Sequence, residues 1–249
     1  MVRDVQPELL DGLAPTDPRA RRSRRDLQRL NWWMGNAAFL GGALASGWQG
    51  PPPDMITELG GGDGTLLVRV LSGMAEWPRR AVPAAVAGPK QGGGRVILVD
   101  RYDLVAVETR RRFAGLGWAV KTFAADVFDW LATAPAQQVV VANLFLHHFS
   151  AGQLGAMFGA IAQRAELFVA VEPRRSRLAA WFSRCVGMIG CGPVTRYDAP
   201  ASVRAGFARG ELTGLWPVDS DWILSERGAG LFGHLFLARR AVQPLVQSN

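Results

Sequence analysis

The chain has 249 residues, 49% of them hydrophobic, and can therefore bury one large core. Two cysteines, Cys185 and Cys191, are too few for a disulfide framework and lack C-x-x-C spacing, so the composition excludes a disulfide-rich secreted domain and favours a cytoplasmic protein. The three histidines form no set with the spacing of a zinc or magnesium site, so we expect no metal. The net charge of +7 raises the question of nucleic acid, because clustered arginines neutralise phosphates.

The N-terminal region begins with such a cluster. Five arginines open a segment in which Leu27, Leu30 and Trp33 have helical spacing, namely Arg19, Arg21, Arg22, Arg24 and Arg25. No RNA-binding module accompanies them, and a charged, solvated face opposite an apolar face accounts for the pattern. We therefore predict an amphipathic helix here and do not favour a nucleic-acid partner.

The next segment, residues 31–53, contains no charged residue. An apolar stretch after arginines resembles a signal peptide, but five glycines together with Asn36 and Gln49 make a poor membrane helix, so we expect no membrane span. Residues 1–53 are instead predicted to form a helical cover. Its aromatic and apolar side chains would lie across the mouth of a ligand site farther along the chain, namely those of Trp32, Trp33, Met34 and Phe39.

A glycine-rich turn follows this cover. In residues 56–65 an acid, Glu58, stands two positions before the first of three glycines at alternate positions, Gly60, Gly62 and Gly64. Glycine is needed where a chain leaves a strand, turns tightly and lets a ligand approach the backbone. The spacing does not fit a dinucleotide fingerprint, because the sixth position counted from Gly60 is Thr65. We therefore predict a strand-to-helix turn that binds a nucleotide-type ligand other than a nicotinamide dinucleotide.

Polar groups also end three later apolar runs: residues 95–100 end in Asp100, residues 121–128 include Asp126, and residues 138–149 include Asn143 followed by His147 and His148. Apolar runs of this length are typical of buried parallel strands, whose carboxyl ends meet at one edge of a sheet. A Pro- and Gly-rich stretch at residues 81–94 separates the glycine turn from Asp100 and is predicted to be an inserted loop. The four polar strand ends together predict one ligand site.

These residues carry a resemblance to a known family. Glu58, Gly60, Gly62 and Gly64 match every defined position of E/D-x-G-x-G-x-G, motif I of the class I S-adenosylmethionine-dependent methyltransferases, and N-L-x-L-H-H-F at residues 143–149 resembles the post-strand motif of the small-molecule members. The resemblance covers about residues 54–175. It implies a three-layer Rossmann-like fold, with a seven-stranded, mostly parallel sheet closed by an antiparallel hairpin at residues 222–226 and 231–238, and it makes residues 54–249 the catalytic domain.

The resemblance also implies which residues bind the cofactor. Four of them would hold its methionine end, two the ribose, two the adenine, and one would form the turn beneath the sulfonium; in that order they are Glu58, Gly60, Gly62 and Asp63, then Asp100 and Arg101, then Asp126 and Val127, then Asn143. A carboxylate can accept hydrogen bonds from ribose hydroxyls or from an amino group. For Asp100, capping of the next helix is the competing interpretation.

The paired histidines are the candidate catalytic residues. A phenol has a pKa near about 10 and an imidazole near about 6.5, so an imidazole at the reacting edge is a suitable general base. Adjacent residues after a strand rarely face the same way, and of His147 and His148 we favour His148. Both could instead hold loop backbone or cap the helix predicted over residues 150–164. His234 lies inside an apolar strand and is predicted to be a core residue.

Residues 174–215, between the fifth strand and the hairpin, are predicted to form a helical lid. Residues 177–189 have helical periodicity, and residues 201–208 indicate a second short helix. Together with the N-terminal cover, this segment supplies the candidate substrate-binding residues, namely Trp33, Trp181, Arg196, Tyr197 and Arg204. A scaffold of salt bridges among Arg196, Asp198 and Arg204 explains the polar ones equally well.

The predicted function is transfer of a methyl group to a hydroxyl of a hydrophobic aromatic small molecule such as a phenol or quinol. The alternatives are methylation of a ring carbon, or a protein on this fold that binds S-adenosylmethionine without transferring its methyl group. The place of the N/D-P-P-Y motif of nucleic-acid base methyltransferases is occupied by N-L-F-L at residues 143–146. The strings TRxDAxxSVRAGF, EPRR and HLFLARR are similar to bacterial methyltransferases of phenolic-lipid gene clusters, and a homodimer is one option for the assembly.

Overall fold

Seven strands form one sheet, flanked by helices. The computed structural model describes residues 1–74, 93–218 and 221–241. The strands are β1 (Met55–Leu59), β2 (Gly94–Asp100), β3 (Trp118–Ala124), β4 (Val139–Asn143), β5 (Leu167–Pro173), β6 (Trp222–Ala229) and β7 (Gly233–Arg240). The α-helices are α1 (Pro18–Trp33), α2 (Asn36–Gly47), α3 (Thr65–Gly73), α4 (Val107–Gly115), α5 (Val127–Thr133), α6 (Ala151–Arg164), α7 (Arg177–Arg184) and α8 (Pro193–Ala205). Short 3-10 turns cover Leu10–Gly12, Leu146–His148, Val186–Ile189 and Thr213–Leu215.

The strand order places a ligand crevice at the middle of the sheet. The order is β3-β2-β1-β4-β5-β7-β6, and β1 to β5 pair in parallel. β7 runs antiparallel to both β5 and β6. The order reverses direction between β1 and β4, and in open α/β sheets ligands bind outside the carboxyl ends of the strands at such a switch point.

Both faces of the sheet are buried. Side chains of α2, α3 and α4, including Leu44 and Phe113, pack on one face against Val96 of β2. Those of α5 and α6, including Phe158, pack on the other face against its neighbour Ile97. Parallel strands buried on both faces need continuous apolar sequences, which is why residues 96–99 and 139–142 are apolar runs and show no alternation.

The predicted sheet is confirmed. In the closing hairpin, β6 begins at the predicted residue and ends three residues later than predicted, and β7 begins and ends two residues later than predicted. The lid differs in two details. The helix predicted over 177–189 ends at Arg184 and continues as a 3-10 turn, and the second helix begins at Pro193, eight residues before its predicted start. That helix continues through Pro200 because Thr195 and Asp198, in its first turns, are buried against other elements. The loop predicted at residues 81–94 lies mostly outside the described residues.

The uncharged N-terminal segment forms α2, which packs under the sheet. Leu40 and Leu44 of this helix are completely buried, and its last glycine, Gly47, approaches Leu167 and Leu237 so closely that a Cβ there would lie 2.8 Å from Leu237. The apolar composition of α2 therefore serves the core. Among the described helices, none has the length and apolar composition needed to cross a bilayer.

A buried hydrogen bond between an imidazole and a carboxylate joins the two strands of the closing hairpin. His234 Nε2 lies 2.7 Å from Glu226 Oε1, and each side chain is 3% exposed, so the prediction that His234 belongs to the core is confirmed. Burial raises the pKa of Glu226, but hydrogen bonds from His234 and from Thr213 lower it more strongly, to about 2. The ionised carboxylate is therefore stabilised by folding.

Replacing Glu226 with glutamine is expected to reduce the free energy of unfolding at neutral pH by about 1–3 kcal/mol, the cost of weakening charge-assisted hydrogen bonds in a buried site. Since folding lowers this pKa, the contribution is present above about pH 4.5 and is lost as the pH falls toward about 2. Urea unfolding of both proteins at about pH 7 and pH 3 measures it. The control is Glu166→Gln, which changes an exposed side chain immediately before β5. An equal loss of unfolding free energy in that variant would contradict the assignment.

Candidate functional site

A cleft of about 560 Å³ lies at the carboxyl ends of β1 to β4. The structure brings to it every residue that the sequence predicted for cofactor binding and catalysis. These are Glu58, Gly60, Gly62, Asp63, Asp100, Arg101, Asp126, Val127, Asn143, His147 and His148. They come from four strand ends, so their proximity is a consequence of the parallel sheet.

The glycine turn exposes backbone to this cleft. Gly60 has φ +68°, and a Cβ there would lie 2.3 Å from the ring of Phe145, so only glycine fits. Gly62 has φ +53° and no neighbouring atom within 4 Å of where a Cβ would stand, so open space adjoins it. Its N–H donates to Asp100 Oδ2 at 3.0 Å, which ties the turn to the end of β2. A ligand can therefore lie directly against this backbone.

Three carboxyl groups surround the turn. Glu58 is 2% exposed, and its Oε2 has no hydrogen-bond partner among the described residues. Burial, reinforced by the charges of Asp63 and Asp100, raises the pKa of Glu58 well above its usual range. A buried, unpaired carboxyl oxygen is costly unless a donor or a cation from a ligand meets it. The site is therefore suited to a ligand with an ammonium or hydroxyl groups.

Two acids that line the cleft, Asp63 and Asp126, also have structural roles. Asp63 Oδ1 accepts from the Thr65 N–H at 3.0 Å, and its second oxygen accepts from Gln28 of α1. Asp126 caps α5 by accepting from the Phe128 N–H at 2.8 Å. Asp126 therefore both caps a helix and lines the cleft, and the capping role was not predicted from the sequence.

Asn143, at the end of β4, connects the sheet to the N-terminal helices. Its Oδ1 accepts from Asn36 at 3.0 Å and its Nδ2 donates to Asn31 at 3.0 Å, while Asn36 donates to Asn31 at 2.7 Å. This triangle of amides fixes α1 and α2 over the switch point. Asn31 and Gln28 thereby become part of the cleft wall.

Glu172, at the end of β5, organises the loop that carries the histidines. Leu144, just after β4, has φ +49°, an unfavourable conformation for a leucine. The strain is compensated by Glu172, completely buried, whose Oε1 accepts from the Phe145 and Leu146 N–H groups at 2.9 and 2.8 Å. The loop then enters a 3-10 turn ending at His148.

His147 lies between two carboxylates. Its Nδ1 is 2.8 Å from Glu172 Oε2 and its Nε2 is 3.3 Å from Glu8 Oε1, with all three groups nearly or fully buried. Burial lowers the pKa of His147, but the hydrogen bonds and charges of Glu172 and Glu8 outweigh it and raise the pKa to about 9. His147 is therefore a charged imidazolium at neutral pH, and its contact with Glu8 holds the N-terminal segment against the sheet.

His148 pairs with a different acid of the same segment. Its Nδ1 is 3.2 Å from Asp11 Oδ2, and its ring centroid is 4.3 Å from that of His147. The pKa of Asp11 is raised by burial and lowered more strongly by the hydrogen bond and charge of His148. Both imidazoles line the cleft, although we expected at most one to do so. They lie in a 3-10 turn, in which adjacent side chains do not point to opposite faces as they do in a strand.

Glu8, His147 and His148 place three metal-ligating atoms within 4.8 Å of one another. The sequence could not show this set, because Glu8 is distant from the histidines along the chain. A metal requires a deprotonated imidazole nitrogen. The raised pKa of His147 keeps protons on both of its nitrogens, each of which faces a carboxylate, so an ion pair accounts for the cluster.

None of the predicted substrate-binding residues lines this cleft. Trp33 stacks on Phe232, with ring centroids 5.7 Å apart, and Trp181 lies on the exposed face of α7. Arg196 and Tyr197 line a separate shallow depression on the lid, and Arg204 lies 4.0 Å from Asp4 at the surface. The expected salt-bridged scaffold among Arg196, Asp198 and Arg204 does not form either.

Arg196 and Tyr197 of the lid point outward because the opposite face of α8 is packed against other elements. Asp198 accepts from the Leu9 and Leu10 N–H groups at 2.7 and 3.1 Å, and Thr195 bonds Ser23 and Asp26 of α1. With that face buried, the helical period directs the side chains of Arg196 and Tyr197 to solvent.

Sequence reasoning missed several residues that shape the site, namely Glu8, Asp11, Gln28, Asn31, Asn36 and Glu172. A signal existed for Glu172, since an acid near the end of the apolar run 167–173 follows the same pattern as Asp100. Glu8 and Asp11 stand in a segment without hydrophobic periodicity, and nothing local indicated them.

No protein-family model matches the chain, and no curated protein matches it. Solved structures do. The plantazolicin methyltransferase BpumL with SAH has a TM-score of 0.62 at 11% identity, covering 91% of this chain and 92% of that one. Magnesium protoporphyrin IX methyltransferase (ChlM) from Synechocystis PCC 6803, with SAH, has a TM-score of 0.51 at 12% identity over 93% and 91% of the two chains. An O-methyltransferase family protein from Burkholderia thailandensis has a TM-score of 0.56 at 20% identity over 92% and 62%. The chain therefore has the Rossmann-like methyltransferase fold.

Proposed function

We propose that this protein is an S-adenosylmethionine-dependent methyltransferase that methylates a hydroxyl of a hydrophobic aromatic small molecule. One observation carries the proposal: on a methyltransferase fold, the unpaired buried oxygen of Glu58, the open backbone of Gly62 and the carboxylate of Asp100 face one cleft. SAH or SAM occupies the similar proteins BpumL and ChlM. Because that cofactor is made in the cytoplasm, we place the protein there.

The residues present fit this cofactor. The carboxyl groups of Glu58 and Asp63 suit its ammonium, and Asp100 with Arg101 adjoins the position for the ribose. Asp126 and Val127 would contact the adenine, and Asn143 would form the turn near the sulfonium; these assignments and those of Gly60 and Gly62 follow the motif resemblance. When bound, the cofactor supplies a methyl group on a positively charged sulfur that becomes neutral as the methyl is transferred.

The protein's own contribution is positioning and removal of a proton. His148 is the proposed general base, because Asp11 holds its Nδ1–H and leaves Nε2 to accept the proton of the acceptor hydroxyl. As the oxygen forms its bond to the methyl carbon, the O–H electron pair remains on oxygen and the proton moves to Nε2. His147 is unsuited to this role, since its raised pKa keeps it protonated.

The cleft also supports an aromatic acceptor. Phe145 and Phe149 line it with edge-to-face packing at 5.0 Å, and Leu10 and Leu104 add apolar surface. The similar proteins include BpumL, crystallised with a monoazolic desmethylPZN analog and SAH, and a magnesium protoporphyrin IX methyltransferase. Methylation at a ring carbon also releases a proton, so the Asp11–His148 pair is compatible with that alternative as well.

Titration with S-adenosylmethionine and S-adenosylhomocysteine by calorimetry is the first test. Binding of both is expected, and incubation with phenols and quinols should then give products heavier by one methyl group in mass spectrometry. Binding without any product across the panel would favour a protein that uses the cofactor as a scaffold. Binding of neither would refute the proposal.

Replacing His148 with alanine is expected to lower kcat by about 100-fold to 10,000-fold, the usual contribution of a general base, while cofactor affinity changes little. Asp11→Asn, which keeps the shape but cannot stabilise the imidazolium, should lower kcat less and move the pH dependence of kcat to lower pH, because the protonated ring loses its anionic partner. The matched control is Asp103→Asn, on an exposed acid whose partner is Arg110. A fully active His148→Ala enzyme would remove the general-base role.

A further inference from the structure

Several large apolar side chains form an exposed surface away from the cleft. We call this surface the basic-aromatic face and define it by Trp33 of α1, Trp181 and Phe182 of α7, Met188 and Ile189 of the following turn, and Phe232 of the β6–β7 turn. Trp181 is 60% exposed and Met188 is 87% exposed. A contiguous exposed patch of this kind marks an interaction site, whereas single exposed apolar residues do not.

The aromatic part of the face is continuous. Ring centroids are 5.7 Å apart between Trp33 and Phe232, 5.2 Å between Phe232 and Phe182, and 4.8 Å between Phe182 and Trp181. Met188 and Ile189 follow α7 directly in the chain, and Gly190, the next residue, accepts a hydrogen bond from Arg29 one turn before Trp33 in α1. Three segments that are distant in sequence therefore build one surface.

Positive charge concentrates on the same segments. Residues 18–33 and 174–205 together contain 12 arginines and two acids, a net charge of +10, whereas the whole chain carries +7. Both acids, Asp26 and Asp198, are buried. Three of the arginines, Arg19, Arg175 and Arg204, pair with acids outside the two segments. The remainder of the chain is slightly acidic, so the positive charge is concentrated in these two segments.

Some of these arginines lie beside the apolar groups. Arg29 reaches Gly190, with more than half of its side chain exposed. Arg184, the last residue of α7, and Arg196 of α8 line a shallow depression of about 360 Å³ with Tyr197, and Arg196 passes beside Gly187 in the turn before Met188. Two guanidinium groups and a phenol at the border of an apolar surface suit phosphate diesters.

We propose that the basic-aromatic face docks the protein on the surface of an anionic lipid bilayer. The tryptophans, Met188 and Ile189 would insert at the level of the headgroups, where aromatic and apolar side chains beside arginines bind with greatest gain. The arginines would contact lipid phosphates, which attract basic clusters within a Debye length of the surface. This contact lies on the surface of the bilayer and spans nothing.

The charge distribution favours lipid over the two other occupants. In a symmetric dimer through this face, each arginine-rich border would oppose the same border of the second copy, which is repulsive. A nucleic acid would satisfy the arginines, but it has no use for the aliphatic side chains of Met188 and Ile189, whose exposure a bilayer removes. Only an anionic, partly apolar surface complements both features.

The basic-aromatic face lies close to the cleft. In α1, Arg24, Leu27, Gln28 and Asn31 line the cleft, while Arg29 and Trp33 lie on the other side of the helix. One helix, about 10 Å in diameter, therefore separates the two. A bilayer-bound protein would have its cleft close to hydrophobic molecules dissolved in the membrane.

Flotation of the full chain with vesicles tests the proposal. We expect the protein to float with vesicles of phosphatidylcholine mixed with phosphatidylglycerol, to float much less with phosphatidylcholine alone, and to dissociate as salt is raised. The double variants Trp181→Ser/Met188→Ser and Arg184→Gln/Arg196→Gln should each reduce the bound fraction at least about tenfold, the first at all salt concentrations and the second chiefly at low salt.

Matched controls lie on α4, on the β2–β3 side of the sheet. Val107→Ser removes another exposed apolar group, and Arg111→Gln another exposed arginine, and both should float like the parent protein. Thermal unfolding of each variant shows whether it is folded. The proposal is overturned if the parent does not bind anionic vesicles, if the face variants bind as well as the parent, if the face variants abolish a dimer seen by light scattering, or if single-stranded RNA binds more tightly than the vesicles.

Discussion

Replacing Asp100 with alanine is expected to weaken S-adenosylmethionine binding by at least about 100-fold, because two kinds of contact are lost together. As a carboxylate at the end of β2, Asp100 can accept hydrogen bonds from ribose hydroxyls, and hydrogen bonds to a charged group contribute about 1.5–3 kcal/mol each. Its Oδ2 also accepts from the Gly62 N–H at 3.0 Å and its Oδ1 from the Tyr102 N–H at 3.2 Å. The substitution therefore removes a ligand contact and loosens the glycine turn.

Calorimetric titration with S-adenosylhomocysteine measures the change without interference from catalysis. Asp100→Asn separates the two effects, since an amide can still accept from the Gly62 N–H but carries no charge; it should lie between the parent and the alanine variant. Asp103→Ala, in the same loop but paired with Arg110 at the surface, should bind normally. Unchanged affinity in Asp100→Ala would mean that the ligand does not reach the end of β2.

The cleft residues could be predicted from the sequence because each lies at or just after the carboxyl end of a strand. Glu58, Asp100, Asp126 and Asn143 end or follow apolar runs, and the geometry of a parallel sheet alone brings such positions to one edge. The register of the strands did not need to be known. What was missing came from elsewhere: the amides of Asn31 and Asn36 lie in helices whose packing over the switch point no local pattern specified.

The lid shows the limit of periodicity. A helical pattern groups Thr195 with Asp198 on one side and Arg196 with Tyr197 on another, but it does not say which side meets the protein. The side with Thr195 and Asp198 is buried, because Asp198 accepts hydrogen bonds from the backbone of Leu9 and Leu10 and Thr195 bonds to α1. The substrate-binding role predicted for Arg196, Tyr197 and Arg204 required the opposite orientation of this helix.

Replacing His147 with alanine is expected to reduce the free energy of unfolding by about 3–5 kcal/mol, the cost of leaving buried charges without their partner. Glu172 and Glu8 would then face each other across a cavity, with Glu172 also holding the strained loop after Leu144. Denaturant unfolding measures the loss. His147→Gln, which can hydrogen-bond to both carboxylates without a charge, should recover part of it, and an alanine variant as stable as the parent would show that the two acids are not held together by an imidazolium.

The pH dependence follows from the direction of the shift. Folding raises the pKa of His147 from 6.5 to about 9, so its stabilisation is complete below about pH 6.5 and is lost as the pH rises through about 9. The stability difference between the parent and His147→Gln should therefore shrink between about pH 8 and pH 10. Since Glu8 is held by this imidazolium, the segment around residues 5–11 should release first, and hydrogen exchange there should accelerate over the same range while exchange in β4 stays slow. Asp11 is part of that segment, so loss of the ion pair between His147 and Glu8 would also separate His148 from Asp11. We therefore expect methyl transfer by the intact protein to fall at alkaline pH.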